Sequence, residues 1–492
     1  MVSLFKSTII KKHTSIQVTC LLLVAMFFSL TSCKNVQEKK TTSENDPWSL
    51  MNDIIASVSV PEFPDATFNI IDFGANPDGI TFNTEAFKKT IATCAEKGGG
   101  QVLVPKGKYL TGAIHLDNNI NLHLEEGAEI LFSTNPNDYP IVPTSYEGVE
   151  LMNYSPLIYA NKKTNIAVTG KGVLNGQAGN DNWWSWCGKD EYGWKNGMPK
   201  QKDSLSLPRL MDMGQNGTPL NERLFGEGHY LRPTFLEPYE CSNVLIQGVK
   251  IVNAPFWIIH PFKSNNVIID GVTVESHGPN NDGCDPEYCK NVIIKNCTFN
   301  TGDDCIAIKA GRDAEGRRVA IKTENIVVQN CKMIDGHGGV VIGSEMSAGV
   351  SNVYVDNCTM DSPNLDRAIR LKTNSRRGGI IDGVYVRNLE VGQVKEAVLK
   401  LNMFYATYTN QTGEFIPEIK NIWLENVTVK NGGEFGILAK GYKESPIKNV
   451  TLRNVNIEKV ESAFSLENVS NLKLIDTYIN GALMQSPPKE EN

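Results

Sequence analysis

Short segments in which apolar and polar residues alternate recur along the second half of the chain. Each opens with Asn or Gly and continues with alternating, mostly β-branched residues, as in Asn243–Ile251, Asn291–Phe299 and Asn449–Ile457. Successive openings lie 22 to 38 residues apart, and the apolar period of two is that of strands. A repeat of this length predicts a parallel β-solenoid, an all-β fold in which each repeat forms one coil.

One position of the repeat, six residues after the opening, is apolar in eight successive copies. If the coils stack in register, these side chains form one interior column, and its three cysteines are buried apolar residues rather than disulfide partners. The Asn openings are predicted to stack as a hydrogen-bonded ladder at the turns. The column consists of Val249, Val272, Cys297, Cys331, Cys358, Leu389, Val427 and Val455.

A helical pattern precedes the repeats. Thr84–Lys97 is amphipathic with a period near four, and Gly98–Gly100 ends it before strand-like segments resume. This short helix is predicted to cap the open N-terminal end of the solenoid. The solenoid itself is predicted to span residues 65–485, with a C-terminal tail at residues 486–492.

The N-terminus has the pattern of an export signal. Basic residues at Lys6, Lys11 and Lys12 precede the apolar run Val18–Leu30, which is short for a membrane span. Leu-Thr-Ser-Cys then ends at Cys33 and resembles a bacterial lipoprotein cleavage site. We therefore expect a signal peptide at residues 1–32, a lipidated Cys33 with a flexible tether at residues 33–64, and attachment to a lipid bilayer at the outer membrane.

The overall charge gives no indication of nucleic-acid binding. The formal net charge is −7, with 48 basic and 55 acidic side chains. Several basic residues nevertheless crowd one part of the repeat region, which would suit an anionic substrate or a rim of ion pairs with Asp313, Glu315 and Asp366. These basic residues are Lys309, Arg312, Arg317, Arg318, Arg376 and Arg377.

Three aspartates in the same region are candidates for chemistry. Asp282 precedes the pair Asp303 and Asp304 by 21 residues, about one short coil, so all three are predicted to share a patch on adjacent rungs. Like charges at that distance raise at least one pKa, which costs stability. Such a cluster suits hydrolysis of a glycosidic bond, which needs one protonated and one ionised carboxyl, and equally suits a calcium ion.

Two further motifs lie downstream of the aspartates. His337 lies in a glycine-rich bend. A histidine in such a bend more often forms structural hydrogen bonds within the turn than takes part in chemistry. Arg370 and Lys372 alternate in a strand and so point to one face, although such pairs are also common on solvated strands. Each motif is weak alone. The run Trp183–Trp186 could either stack on sugars or anchor a long loop.

Taken together, these motifs resemble the polygalacturonase family of pectin hydrolases, glycoside hydrolase family 28. The resemblance implies a right-handed, single-stranded parallel β-helix and inverting hydrolysis without a metal or another cofactor. Asn281 stands where the family usually has Thr, and Leu371 where it usually has Ile. The motifs are Asn280-Asn281-Asp282, Gly302-Asp303-Asp304, Gly336-His337-Gly338 and Arg370-Leu371-Lys372.

The same resemblance implies catalytic roles for four residues. Asp303 is the general acid that protonates the glycosidic oxygen. Asp282 and Asp304 hold and deprotonate the attacking water, and His337 tunes the acid.

It also implies substrate contacts. Arg370 and Lys372 bind the substrate carboxylate, a role that suits a guanidinium and an ammonium on chemical grounds. Asn280 and Tyr405 are further expected substrate contacts.

The expected function is exo-acting cleavage of α-1,4-galacturonosidic bonds in pectin or polygalacturonate. The segment Lys309–Arg318 and the insertion around Trp183 resemble exo-acting relatives. Endo-polygalacturonase and rhamnogalacturonan hydrolase are the nearest alternatives. A polysaccharide lyase and a non-catalytic carbohydrate-binding solenoid are the alternatives of a different class. The expected partners are an acidic polysaccharide and the bilayer, and the expected state is a monomer.

Overall fold

The computed structural model describes residues 46–405 and 412–486. The predicted signal peptide, Cys33 and the first part of the tether lie outside these residues. Within them, no helix is long and apolar enough to cross a membrane. The α-helices are α1 (Pro47–Ser57), α2 (Thr84–Glu96), α3 (Leu207–Asn216) and α4 (Asp313–Val319), and the 3₁₀ helices are Ile70–Phe73, Pro136–Asp138, Trp183–Cys187, Asp190–Tyr192 and Leu220–Glu222.

The predicted parallel β-helix is confirmed, and most of its strands form one large sheet of 22 strands. Early coils contribute two short strands each, which merge into single long strands from Val350–Met360 onward. The remaining strands of this sheet are Thr67–Asn69, Asp78–Phe82, Gly100–Val104, Gly107–Thr111, Ile120–Leu124, Ala128–Phe132, Thr164–Gly170, Val173–Asn175, Ser242–Gln247, Lys250–Val252, Asn265–Asp270, Thr273–Ser276, Lys290–Lys295, Thr298–Thr301, Thr323–Gln329, Lys332–Asp335, Ile380–Gln393, Glu418–Asn431, Ile447–Ile457, Val469–Ile479 and Ala482–Leu483.

A second, narrow sheet runs along the other side of the solenoid. It is continuous, because parallel bridges through Ile259 and Cys284 join its N-terminal strands to its C-terminal strands. Each coil thereby adds one rung to both sheets. The strands of the narrow sheet are Ile114–His115, Ile158–Asn161, Leu236–Tyr239, Ile306–Ile308, Val340–Ile342, Arg367–Lys372, Ala397–Asn402, Phe435–Lys440 and Ser462–Glu467.

The core lies between the two sheets, and the predicted interior column is part of it. All eight side chains of that column are at most 1% exposed, and Cys358, Leu389 and Val427 pair in register. Every cysteine among the described residues is free and buried, so the column cysteines pack as apolar residues. Cys187, Cys284 and Cys289 are likewise unpaired.

Asparagine ladders lie at two turns of each coil. At the predicted ladder, the amide of Asn325 donates to Asn291 at 2.9 Å and its oxygen accepts from Asn352 at 3.0 Å. A second ladder, absent from the sequence-based expectations, runs through Asn330 and Asn357 with an N···O distance of 2.8 Å. Their backbones have φ between about 54° and 62°, a region that Asn tolerates because its amide bonds locally.

The two N-terminal helices cover different surfaces. α2 caps the first coil as predicted and buries Phe87, Ile91 and Cys94. α1 was not predicted, since residues 33–64 were expected to form a tether; that expectation is wrong for residues 47–57. Trp48 of α1 packs on an outward row of the large sheet, where the ring of Tyr354 lies 5.9 Å away.

An insertion covers part of the narrow sheet. It contains the antiparallel hairpin formed by Ile141–Tyr146 and Val149–Tyr154 and, after the strands of one coil, the long segment 176–231. The hairpin packs on α3 through a cluster that includes Leu151 and Leu210. The tip of the hairpin therefore reaches over the outer face of the narrow sheet.

Candidate active site

Three aspartates meet on the outer face of the narrow sheet. Asp282 precedes the bridge at Cys284, and Asp303 with Asp304 precedes the neighbouring strand, because the backbone of Cys284 pairs with that of Ile306. One carboxylate oxygen from each aspartate lies within 4.8 Å of the others. The patch expected from the 21-residue spacing is therefore present, with Asp282 and Asp304 buried.

His337 lies at the mouth of this cluster, one rung further along. Its Nδ1 is 3.1 Å from Oδ1 of Asp303, and its side chain is 53% exposed. The hydrogen bond and charge of Asp303 raise the pKa of His337 to about 9, so the imidazole is cationic at neutral pH. Burial acts to raise the pKa of Asp303, but the hydrogen bond and charge of His337 outweigh it and lower that pKa.

Asp282 has the opposite electrostatic environment. Burial, followed by the negative charge of Asp303, raises the pKa of Asp282 to about 8, against the opposing charge of Lys309. Behind it, Asp285 is fully buried and neither of its oxygens has a hydrogen-bond partner among the described residues. Burial and the charge of Asp282 raise the pKa of Asp285 well above its usual range. The substrate-free Asp282 thus holds a proton at neutral pH.

Arg370 and Lys372 point to the same face, as expected, and reach the third aspartate. Nζ of Lys372 donates to Asp304 at 2.7 Å, and Arg370 lies 3.7 Å from the other oxygen. The ring of Tyr405 covers both cations, with centroid distances of 5.5 Å to Arg370 and 5.4 Å to Lys372. Three of the four predicted substrate contacts, Arg370, Lys372 and Tyr405, therefore lie together beside Asp304.

The Asn280-Asn281 segment is held by a buried arginine that the sequence did not single out. Arg232 donates to the side-chain oxygen of Asn280 at 2.8 Å and to the carbonyl of Pro279 at 2.6 Å. Asn280 lines the cleft, whereas Asn281 is fully buried and bonds to backbone groups such as the carbonyl of Phe256. Asn281 therefore supports the turn and does not face a ligand.

One end of the cleft is closed by a network of ion pairs. Arg312, after the strand Ile306–Ile308, bonds Glu147 at the hairpin tip at 2.7 Å. Glu345 joins the network through Arg377 at 3.1 Å and Lys309 at 3.4 Å. The cleft is lined by Glu147, Trp257, Asn280, Asp282, Asp303, Lys309, Arg312, Ser344, Glu345, Lys372, Arg377 and Tyr405.

The sequence identified most of the cationic residues and missed their partners. Glu147 and Glu345 carry no local signal. Trp257 reaches the cleft from the coil before Asp282, because Ile259 pairs with Cys284. The expected rim of ion pairs is present in part: Asp313 binds Arg376 and Arg377. Glu315 likewise binds Arg318, together with Arg223, whereas Asp366 binds Arg367, which was not among the expected basic residues.

The tryptophan run anchors the insertion. Trp183 is 1% exposed, and its ring packs edge-on against Trp186 at 4.8 Å. Trp184 donates to the carbonyl of Ala254 at 2.9 Å. The structural explanation of this run therefore holds for Trp183 and Trp186.

The spacing of the three aspartates would also admit a cation, but nearby side chains already supply positive charge. Lys372 bonds Asp304 at 2.7 Å, and Lys309 lies 3.7 Å from Asp282. A divalent ion placed among the three carboxylates would be repelled by both ammonium groups. The donor set fits proton transfer better than calcium binding.

Comparison with protein families gives two matches. A profile described as Glycosyl hydrolases family 28 matches residues 226–475. A profile described as Rhamnogalacturonase A/epimerase, pectate lyase-like, matches residues 67–171.

Individual proteins match over most of the chain. A structure described as a hyperthermoactive exopolygalacturonase from Thermotoga maritima is 43% identical, with a TM-score of 0.83, over 88% of this chain and 96% of that chain. A family 28 exopolygalacturonase from Yersinia enterocolitica is 25% identical, with a TM-score of 0.62, over 84% of this chain and 78% of that chain. An exo-poly-alpha-D-galacturonosidase of Dickeya chrysanthemi is 29% identical over 74% of this chain and 61% of that protein.

Proposed function

The chain belongs to glycosyl hydrolases family 28, and from that membership we propose that it is an exo-acting polygalacturonase. The observation that carries the proposal is the cleft itself, in which three carboxylates face buried cations beside a closed end. The names of the exo-acting bacterial relatives support the same assignment. The substrate is the acidic polymer of galacturonate, and the bond broken is the α-1,4-galacturonosidic bond.

The proposed reaction is a single displacement with inversion. Asp303 gives its proton to the glycosidic oxygen, and the bond from that oxygen to the anomeric carbon breaks. A water molecule held by Asp282 and Asp304 attacks the same carbon from the opposite face and gives its proton to one of these carboxylates. One water is consumed and one saturated reducing sugar is released, so atoms and charge balance.

The proton must move before this step can occur. In the substrate-free cluster the higher pKa belongs to Asp282, whereas the reaction needs the proton on Asp303. Oxygens of the two carboxyls lie within 4.8 Å, a distance that one water can bridge. A uronate that binds Lys372 would also draw this cation away from Asp304 and change the balance of charge in the cluster.

Exo-action is supported by the closed end of the cleft. The Glu147–Arg312 bond links the hairpin to a loop of a later coil, and both residues line the cleft. We infer that this link blocks the polymer at that end. Lys309, Arg312 and Arg377 bring positive charge to that end, where a terminal uronate would bind. A polymer in this cleft therefore enters by its end.

The test is product analysis with polygalacturonate. The protein should release saturated galacturonate with inverted anomeric configuration, measured by mass and NMR, and Asp303→Asn should lose about 10³-fold or more in rate. Unsaturated products would show a lyase instead. Oligomers released by internal cleavage would show endo-action. If polygalacturonate were not cleaved at all, it would be ruled out as the substrate.

Rhamnogalacturonan is the second candidate substrate. The match of residues 67–171 to the rhamnogalacturonase profile favours including it. The same product analysis with rhamnogalacturonan decides between the two polymers. Faster turnover of rhamnogalacturonan would replace the proposed substrate and keep the mechanism.

We further propose that the protein is exported and lipid-anchored through Cys33 at the outer membrane. The proposal is supported by the basic start, the apolar run Val18–Leu30 and the tetrapeptide that ends at Cys33. In cells fed labelled fatty acid, the wild type should carry label and sediment with membranes, whereas Cys33→Ser should do neither. Label on the Cys33→Ser protein would contradict the proposal.

A further inference from the structure

The ammonium of Lys309 lies between two sets of carboxylates at the base of the cleft. Its side chain is 4% exposed, and Nζ lies 3.7 Å from Asp282 and 3.9 Å from Asp285. On the other side it lies 3.4 Å from Glu345. The ring of Trp257 is 4.6 Å away and keeps the site apolar on a third side. A lysine in such a place interacts strongly with each of these charges.

We propose that Lys309 is a positioning residue of the reaction, which favours the ionised form of Asp282 against its neighbouring carboxylates and couples it to the closed end of the cleft. The inference deepens the proposed hydrolase function and rests on it. Lys309 does not transfer a proton in the reaction; it acts through Asp282, whose carboxylate must accept a proton from water. Removal of its charge should therefore change the pH at which the enzyme becomes active.

Asp282 depends on Lys309 because its other cation is engaged. The charged groups that face Asp282 are Asp303, Asp304, Lys309 and Lys372. The two aspartates oppose ionisation of Asp282. Lys372 bonds Asp304 directly at 2.7 Å, so Lys309 supplies the principal positive charge for Asp282.

The groups that face Lys309 decide how its charge is shared. They are Glu345, Asp282, Asp285 and Asp304. Burial and the charge of Asp282 raise the pKa of Asp285 well above its usual range, so Asp285 competes less than the others for this charge. The charge of Lys309 is therefore divided mainly between Glu345 and Asp282.

Glu345 has other cations and does not need Lys309 to remain paired. Arg377 lies 3.1 Å and Arg312 3.9 Å from its carboxylate. Replacement of Lys309 by an apolar residue thus leaves Glu345 balanced, and Asp282 can take up a proton. For this reason Lys309→Met should still fold.

The experiment compares the pH dependence of kcat/KM for wild type, Lys309→Met and Glu345→Gln with an oligogalacturonide. In Lys309→Met, the acidic limb of the pH profile should move to higher pH by about one unit or more, because Asp282 then ionises less readily. It should move downward in Glu345→Gln, where the charge of Lys309 is shared with one carboxylate fewer. Lys163→Met is the matched control, since Lys163 pairs with Asp117 at 2.6 Å outside the cleft, and its limb should not move.

Opposite shifts in the two variants support the proposal. A folded Lys309→Met with the wild-type limb, or with activity lowered equally at every pH, overturns it and shows a structural role only. If Lys309→Met does not fold, Glu345→Gln decides alone, and an unmoved limb overturns the proposal. A wild type that does not cleave galacturonan instead contradicts the proposed function, and the variants are then compared on the glycan that it does cleave.

Discussion

Two histidines carry charge at neutral pH for the same electrostatic reason in different surroundings. His337 is half exposed beside Asp303, where it serves the cleft. His260 is fully buried beneath the hairpin, 3.2 Å from Glu237 and 3.1 Å from Glu287. Burial lowers the pKa of His260, but hydrogen bonds to the two glutamates and their charges outweigh burial and raise it to about 9. His260 is thus an internal cation.

The pH dependence of stability should report this internal cation. Because the folded pKa lies above the unfolded value, the stabilisation is fully present below pH of about 6.5 and is lost as pH rises through about 9. His260→Gln leaves two buried carboxylates without their cation and should lower the free energy of unfolding at neutral pH by about 3–5 kcal/mol. Denaturant unfolding between pH 6 and 10 measures both effects.

The comparison with the variant isolates His260 from other groups that titrate near pH 9. The difference in unfolding free energy between wild type and His260→Gln should shrink as pH rises through about 9. His277→Gln is the control, since His277 is exposed and bonds Asn300, and it should change stability by less than about 0.5 kcal/mol. A difference that stays constant with pH would contradict the assignment of charge.

Among the elements of the fold, the asparagine ladders determine how coils stack. Each internal ladder residue donates to one coil and accepts from the next, and its backbone lies in the left-handed region. The ladder thereby combines two requirements, a hydrogen-bonding side chain and a tolerated positive φ. Asn meets both, which explains why it recurs at the openings.

Variants of Asn325 separate the two requirements. Asn325→Gly keeps the backbone conformation but loses two hydrogen bonds, and should destabilise the protein by about 1–3 kcal/mol. Asn325→Ala should cost about 1–2 kcal/mol more, because alanine is strained at a φ of 62°. Thermal or denaturant unfolding measures both. Equal stability of the two variants would show that backbone strain plays no part.

The docking of helix α1 on the large sheet is a second feature at the level of the elements. It covers an outward row of the large sheet that is apolar in the coils beneath it, including Val327, Tyr354 and Tyr385. The row runs in register across neighbouring coils. An apolar row on the outside of a solenoid therefore indicates a covering element, a signal that the sequence contains but that the alternation pattern alone hides.

In the whole molecule, the shape of the cleft results from parts that are distant in sequence. The hairpin tip at Glu147 and the loop at Arg312 are 165 residues apart. Their ion pair lies at the cleft, and in the proposed mode of action it blocks the polymer there. The insertions therefore determine whether the polymer is cut at its end or internally. The coils of the β-helix, which carry the three aspartates, determine the chemistry.

Opening of the closed end should change the product pattern. Glu147→Ala removes the ion pair between hairpin and loop, while the backbone hydrogen bond from Arg312 to the carbonyl of Gly148 remains. The weakened link should let a polymer extend through the groove and be cut internally. The ratio of viscosity loss to reducing ends formed should rise, and oligomers should appear beside the monomer. Glu150→Gln is a control in the same hairpin, since Glu150 binds Lys263 at 2.6 Å outside the cleft. An unchanged product pattern in Glu147→Ala would contradict this account of exo-action.

The sequence by itself determined the repeat, the interior column, one asparagine ladder, the capping helix and the juxtaposition of the three aspartates. These features depend on residues within one coil or on adjacent coils, where a fixed rung spacing converts sequence distance into spatial distance. Local pattern and spatial arrangement agree there, so Asp282, Asp303, Asp304 and His337 could be placed together in advance.

Only the tertiary structure decided the docking of α1, the roles of Arg232 and Asp285, and the network around Lys309 and Glu345. The docking of α1 joins segments more than a hundred residues apart. The contacts of Arg232 and of Lys309 span a few tens of residues across loops whose paths the repeat does not fix. The sequence predicted that at least one pKa in the cluster is raised, but it could not show which aspartate has the raised pKa. The pKa values depend on burial and on distances of 3 to 4 Å between charges, and only a folded chain brings those charges that close in a site of low dielectric.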